Sequence, residues 1–347
     1  MKVRQITKLL LQPMDAMFFG QGLPFSAGES GSSAGLPFPY PSTVYGALRS
    51  AYFSAHPEQL PLANKAADPT RYLRLYAWGL YNAKWKTPVF PAPLDLSVRK
   101  EQLVPLTLES NSDGLTSLPE ELPYRFVAQD LECEAPANCW ICDLDEYLKG
   151  RRATLLSASQ VFLPEPKIGL ARDNSTKTSA QGMLYQLPLL RFCEGIRFAA
   201  AFSGLEPEAI LLRLGGQSRT CAVEMTDSDL QVTHGNIDNG CFKLYLSTPA
   251  IFSDGWLPSF IREGAFELCA ACVGNAMPVS GWDMECNRPK PLRLAVPAGS
   301  VYYLRLKDNA PEARQAVLER FHGKAISDED QDKKQGFGIT YVGGWQA

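Results

Sequence analysis

Histidine is scarce: three residues in a chain of 347, His56, His234 and His322. Metal-free RNA cleavage and most hydrolytic chemistry rest on positioned general acids and bases, histidine above all. His56 ends a helix-like stretch just before a proline and is expected to be an exposed helix-end residue. His234 lies in the polar loop THGNIDNG. His322 adjoins Gly323 at the end of a helix-like stretch, where a cation would complement the dipole. No Cys/His pairing or His-rich metal spacing accompanies them. Asp143, Asp145 and Glu146 read as an ordinary solvated loop, and serine chemistry lacks a nucleophile elbow to support it. The chain is therefore expected not to be an enzyme, with no cofactor.

An excess of basic charge is also missing. Lys and Arg number 34 against 37 Asp and Glu, for a net charge of −3. A nucleic-acid surface on such a molecule must be a local basic groove, or be completed by a partner. Long apolar runs are absent too. The opening MKVRQITKLLLQPMDAMFF is interrupted by Pro13 and Asp15, so neither a secretory signal nor a membrane span is expected. The cytoplasm is the default location. Cysteine does not occur before residue 133. The nine cysteines include two CxxC pairs, Cys139/Cys142 and Cys269/Cys272, a spacing that can hold zinc. The second pair lies in the apolar FELCAACVG, where strand alternation sends its members to opposite faces. Small buried core residues are the better reading, and no metal site is expected.

What is present suffices for a folded core: 45% apolar and 20% charged residues, with 26 Pro and 27 Gly to make turns. The length suits two domains, expected at 1–235 and 236–347. Residues 7–19 read as a strand. Residues 42–55 read as a helix capped by Ser42, with an apolar stripe through Val44, Leu48, Ala51, Tyr52 and Ala55. Asp68-Pro69 reads as the start of a second helix reaching Lys86. Residues 158–192 read as a long hairpin whose tip, RDNSTKTSAQ, is polar and flexible. Then come a strand at 195–203, a helical turn near 206–211, and a strand after Gly216.

The second half reads β-α-β-β-α-β: strand CFKLYLSTPAIF, helix WLPSFIREGA, strands FELCAACVG and PLRLAVPAGSVYYLRL, helix PEARQAVLERF, an exposed charged stretch ISDEDQDKKQ, and strand GFGITYVGGW. The first half follows the same order with large insertions. Pro13, Phe19, Gly22 and Pro24 recur in the same order as Pro249, Phe252, Gly255 and Pro258. The fold class is thus α+β, two ferredoxin-like βαββαβ domains in tandem with a long β-hairpin. Each half carries a glycine loop before its last strand: Gly215, Gly216, Ser218 and Arg219 in LGGQSR, and Gly336, Phe337 and Gly338 in GFG. Glycine runs admit positive φ and let a phosphate approach backbone amides, or simply make tight turns.

On these stretches the chain resembles the RAMP superfamily of CRISPR proteins, and more narrowly the Cmr-type subunit at the crRNA 5′ end of type III-B effector complexes. The matching segments are MDAMFFGQGLPF, PSTVYGALRS, FPAPLDL, KIGLARDNSTKTSAQGMLY, LGGQSR, RPKPLRLAVPAGSVYYL and GFGITYVGG, in the family's order over nearly the whole chain. LGGQSR departs from the pattern in lacking a Gly-Φ-Gly ending, and the second loop is split by residues 326–335.

The resemblance implies a hairpin reaching over RNA and glycine loops lining the surface that holds the guide's repeat-derived 5′ tag. It also implies contacts with the large polymerase-like subunit and a backbone RAMP subunit, with target RNA met only indirectly. The residues expected on RNA are Lys167, Arg172 and Lys177 on the hairpin, Arg49 beside the first helix, and Arg219 with the glycines. Ile168, Leu170 and Met183 near the tip would wedge against a base. The alternative within the superfamily is a metal-independent guide-processing endoribonuclease.

Overall fold

The run TKLLLQP forms β1 (Thr7–Pro13), and its three leucines are buried. Leu9 and Leu11 pack on the side of α1 (Pro41–Ala55), with Val44 and Leu48. Leu10 faces the opposite way, among Tyr81, Ala199, Ala201 and Leu230. A central strand covered on both faces needs no polar alternation. This computed structural model describes residues 5–21, 35–111, 122–130, 132–207, 209–283 and 288–346, with all their side chains except those of 170, 171, 179–185, 282 and 283. The helix begins one residue before the expected Ser42 cap. Pro41 takes the first turn, Tyr40 is the N-cap, and no side chain caps it; proline's missing N–H lacks a helical partner there in any case.

The first half continues as β2 (Arg74–Asn82), β3 (Thr87–Pro91), β4 (Trp140–Cys142), α2 (Leu144–Leu148), β5 (Thr154–Leu156), β6 (Phe162–Arg172), β7 (Ser179–Phe192), β8 (Ile196–Ser203), β9 (Leu211–Arg213) and β10 (Thr220–Met225). Eight of these strands make one sheet in the order β9-β10-β1-β8-β2-β3-β4-β5, every neighbour antiparallel. Among the described residues, β6 and β7 pair as strands only with each other.

Two expected helices do not form, and the first is a strand instead. Within 68–86 the chain turns at Asp68 and then runs as β2. Leu75, Trp78 and Leu80 go to the α1 side while Tyr76, Ala77 and Tyr81 go to the other. Aromatics scattered around a helical wheel are what two-faced alternation looks like, and Tyr and Trp favour the pleated surface. Near 206–211 no helix occurs among the described residues. Leu212 is buried between exposed Leu211 and Arg213, a period of two.

The second half supplies β11 (Cys241–Leu246), β12 (Phe266–Cys272), β13 (Met277–Val279), β14 (Arg293–Ala295), β15 (Val301–Leu306), α3 (Pro311–Phe321), β16 (Lys324–Ala325), α4 (Asp330–Gln335) and β17 (Ile339–Gly344). Its sheet has the order β12-β15-β11-β17-β16. Val317 and Phe321 of α3 pack on it, the Phe321 ring 4.8 Å from Phe260. WLPSFIREGA forms a short 3-10 turn, Ser259–Glu263, rather than an α-helix. The charged stretch 326–335, expected to be exposed, is partly interior. Ile326, Ser327 and Asp332 are buried, and Asp332 accepts two hydrogen bonds from Arg293 at 2.8 and 2.7 Å. A paired and hydrogen-bonded carboxylate can enter a core.

The protein is therefore mixed α/β, rich in antiparallel sheet and poor in helix. Its halves share cores. Ile251, Val279, Ala295 and Phe337 pack with Leu9 and Trp78, while Phe90, Ile141 and Tyr147 pack with Tyr245, Tyr341 and Trp345. Where these halves meet, Asp95 is buried and accepts from Tyr147 Oη (2.7 Å), Tyr303 Oη (2.7 Å) and Lys243 Nζ (3.3 Å). Among the described residues no helix is long and apolar enough to cross a membrane.

Candidate nucleic-acid interface

The hairpin β6–β7 is the feature that leaves the body. Its register runs from Phe162↔Phe192 to Leu170↔Leu184, shifts, and closes with Arg172↔Ser179. At its base Phe162, Leu187 and Leu189 are buried, and the Phe192 ring lies 4.8 Å from Phe198 of β8. From Leu163 to Ile168 every residue is exposed, so both faces of β6 are open. Eleven residues in that arm span about 35 Å. Lys167, Arg172 and Lys177 are exposed along it, none with an ion pair to a described residue, and Ile168 is 66% exposed. Met183 lies on β7, but its side chain, like that of Leu170, is outside the described residues.

The tip is built as a turn. The Asp173 carboxylate accepts from the Ser175 amide (2.7 Å), the Ser175 hydroxyl (2.6 Å) and the Thr176 amide (3.3 Å), and the Asp173 amide donates to Thr178 O (2.9 Å). Those donors, the Ser175 hydroxyl first, hold the Asp173 carboxyl below its ordinary value. Lys177 sits at φ +58° beside it.

A chain of charges braces the hairpin's base. Arg219 pairs with Asp15, Asp15 with Arg191 (3.1 Å), and Arg191 with Glu165 of β6 (2.8 Å). The Ala16 amide, with Arg191 and Arg219, holds the Asp15 carboxyl low. Reciprocal hydrogen bonds between Met17 and Leu190 (2.8 and 2.9 Å) pin the segment after β1 to β7. Arg219 therefore lies beside the hairpin as a brace, its guanidinium already neutralised. Sequence reasoning did not single out Asp15, Glu165 or Arg191, because these pairs join residues up to 204 positions apart.

The glycines serve the fold. Gln217 and Ser218 both have positive φ, and the Arg219 amide faces Gly216 O at 3.4 Å, as in a primed hairpin turn between β9 and β10. Gly215 and Gly216 admit the neighbouring chain: a Cβ on Gly216 would meet the Phe18 ring at 2.6 Å, and the Gly216 amide donates to Phe18 O. The second loop is interior. Phe337 is 1% exposed, and the amides of Gly336, Phe337 and Gly338 donate to Lys333 O, Asp332 O and Pro249 O. The amides of Gly216, Gly336, Phe337 and Gly338, expected to cradle a phosphate, donate instead to backbone carbonyls within the fold. Arg49 is likewise engaged within the fold, with Thr70 Oγ1 (2.7 Å), Asn64 Oδ1 (2.9 Å) and Asp68 (2.7 Å). It ties α1 to the turn that follows.

The histidines are held by backbone. The Val342 amide donates to His322 Nδ1 (3.2 Å), so Nε2 carries the proton and donates to Val232 O (2.6 Å). Burial pushes the His322 pKa below its ordinary value; the residue expected as a helix-end cation is a neutral tie. His234 Nδ1 contacts Gly235 O at 2.9 Å. His56 is the C-cap of α1, half-buried against the Tyr52 ring. Among the described residues no three His, Cys, Asp or Glu gather as a metal site. Burial pushes the Cys142 thiol up to about 12 and Cys269 up to about 11, away from the thiolate a metal takes.

The family model for the CRISPR-associated protein Cas_Cmr3 matches residues 9–345. The chain belongs to the Cmr3 family of CRISPR-associated proteins. No curated protein matches it. Among solved structures, a chain of the type III-B Cmr-beta bound to cognate target RNA and AMPPnP is 15% identical, with a TM-score of 0.50 over 85% of this chain and 86% of that one. A chain of the Cmr-beta bound to cognate target RNA is 17% identical, with a TM-score of 0.49 over the same shares. A chain of the type III-A Csm3-Csm4 subcomplex is 12% identical, with a TM-score of 0.43 over 98% of this chain and 100% of that one. The first of these likenesses shows a shared fold. Family and fold agree: the chain is a Cmr-type CRISPR-associated protein.

Proposed function

We propose that the chain is the crRNA-binding subunit of a type III-B RNA-targeting effector in antiviral defence. In this reading it holds the guide's 5′ tag and links the large polymerase-like subunit to a backbone RAMP subunit. The observation that carries it is the projecting β6–β7 hairpin, which presents Lys167, Arg172 and Lys177 to solvent without a described carboxylate to neutralise them. Membership of the Cmr3 family and exposed cations on a two-faced ribbon are what a guide-holding arm requires.

The subunit is non-catalytic and cytoplasmic in this proposal. His322 has both ring nitrogens committed to backbone partners, which leaves no free general base there. Two ferredoxin-like units, 1–235 and 236–347, are proposed from strand order. β10-β1-β8-β2 and β17-β11-β15-β12 both read last-first-third-second along the chain, all antiparallel.

The test is Lys167, Arg172 and Lys177 changed together to Ala, with guide RNA binding measured across a salt series. Affinity should fall, and the slope of log K against log salt should flatten by ~0.7 for each phosphate no longer neutralised. Unchanged affinity and slope would remove the hairpin from the RNA.

A further inference from the structure

Among the tryptophans whose side chains are described, Trp85 alone is exposed. Trp85 is 55% exposed at the tip of the turn between β2 and β3, with Lys84 and Lys86 on either side. Trp78, Trp140 and Trp345, by contrast, are buried. The turn is held firmly from behind. Asn82 Oδ1 accepts from the amides of Lys84 (3.0 Å) and Trp85 (3.1 Å), and the Ala83 amide donates to Gly195 O (2.7 Å). Lys86 adopts φ +54°, a conformation that L residues rarely take. The turn's backbone is thus held in place while the Trp85 side chain stays 55% exposed.

The turn adjoins the hairpin's base. Gly195 follows β7 by three residues, and the Cys193 amide donates to Val161 O just before β6. Lys84 pairs with Glu194 at 3.0 Å, but unlike the mostly covered Arg219 it is 58% exposed and its partner 91%, so a phosphate can take the carboxylate's place; Lys86 is exposed with no ion pair to a described residue.

We infer that Trp85 is a stacking platform for an unpaired base of single-stranded RNA, with Lys84 and Lys86 on the flanking phosphates. The inference rests on the RNA-binding reading above and extends that surface from the hairpin's arm to its foot. Any base has a face that can stack on an indole, so the contact needs no sequence, and cations on each side track the backbone. A protein partner is the competing occupant of an exposed tryptophan. Lysine is depleted from protein interfaces, however, and two lysines bracket this ring. Preorganisation favours the platform further, since the Asn82 cap leaves little backbone freedom to be lost on binding.

The experiment uses the full chain and a short unstructured single-stranded RNA carrying a fluorophore, read by anisotropy. Trp85→Ala should weaken binding ~5- to 100-fold, the range expected for removing one base stack. Trp85→Phe should retain most of the affinity. Lys84→Ala with Lys86→Ala should flatten the salt dependence. An unchanged melting temperature of Trp85→Ala checks that the fold is intact, because the ring packs in no core. The hairpin triple variant runs in parallel. If it loses RNA while Trp85→Ala binds like the parent, the platform is wrong and the RNA reading stands. If Trp85→Ala keeps RNA but no longer holds a protein subunit of the effector, the surface is a protein contact and the inference is overturned. If the unmodified chain binds no RNA, both fall together.

Discussion

Asp95→Ala should be among the most damaging single substitutions in this protein. The carboxylate is 3% exposed and is the acceptor for Tyr147, Tyr303 and Lys243 at the junction between the two sheets. The Lys243 ammonium also lies 3.6 Å from the centre of the Tyr147 ring. Removing the acceptor leaves a buried cation unpaired, a loss of about 3–5 kcal/mol. Two buried hydroxyls also lose their partner, at roughly 1–3 kcal/mol each if they find no other. These effects share one site and do not add, so the expected loss is about 4–5 kcal/mol. Lys243→Met should be much milder. Burial drives the Lys243 pKa down despite Asp95, so the charge is costly where it stands, and its removal still leaves Asp95 two hydroxyl donors. Thermal and chemical denaturation of Asp95→Ala, Lys243→Met and the double variant supply the cycle. The double variant should be less damaged than the two single losses summed. A loss below about 1 kcal/mol for Asp95→Ala, or strict additivity, would show that water or rearrangement satisfies the site and would refute the argument.

How much of this was legible beforehand depended on the range of the interactions. The hairpin was visible because its arms are apolar, contiguous in sequence and separated by a polar tip. The stripe Val44–Leu48 marked α1 because helical periodicity is local. The segment 74–82 was misread because its buried residues alternate between two covered faces. An Asp-Pro pair before it looks like a helix start, yet Asp68 is spent on Thr70, Asn64 and Arg49. Residues 326–335 were misread because their charge was taken for exposure. Only the fold reveals that Arg293, 39 residues earlier, neutralises Asp332. The glycine loops were placed correctly before the last strand of each half. Their job was ambiguous in sequence, since the neighbours that need the missing Cβ, Phe18 and Ser327, come from other segments. The brace Arg219–Asp15–Arg191–Glu165 had no local signature at all.

Further outcomes follow from the same interactions. Gly338→Ala should cost upwards of ~2 kcal/mol in chemical denaturation, because φ is +80° and the new Cβ would meet the buried Ser327 amide at 2.8 Å. Stability should fall as pH drops below about 6.5: the folded His322 pKa is depressed, so the unfolded chain takes up the proton first, and a His322→Gln variant denatured across this range should lack that component. Arg49→Ala should lower stability by about 2 kcal/mol while leaving the salt slope of RNA binding unchanged, since its guanidinium is spent on Asp68, Asn64 and Thr70. Deletion of residues 171–181, bridged by a short glycine linker, isolates the tip from the base. Phe162, Leu187 and Leu189 keep the base buried, and the pairing from Phe162↔Phe192 to Leu170↔Leu184 lies outside the cut, so the fold should persist and the effector should assemble. What disappears is Arg172, Lys177 and the hydrogen-bonded turn around Asp173. If the tip lies as a thumb over the guide where tag meets spacer, nucleotides at that junction should become newly reactive to chemical probing in the assembled effector. Protection that persists at those nucleotides would refute the thumb and make the tip a contact for a neighbouring protein subunit.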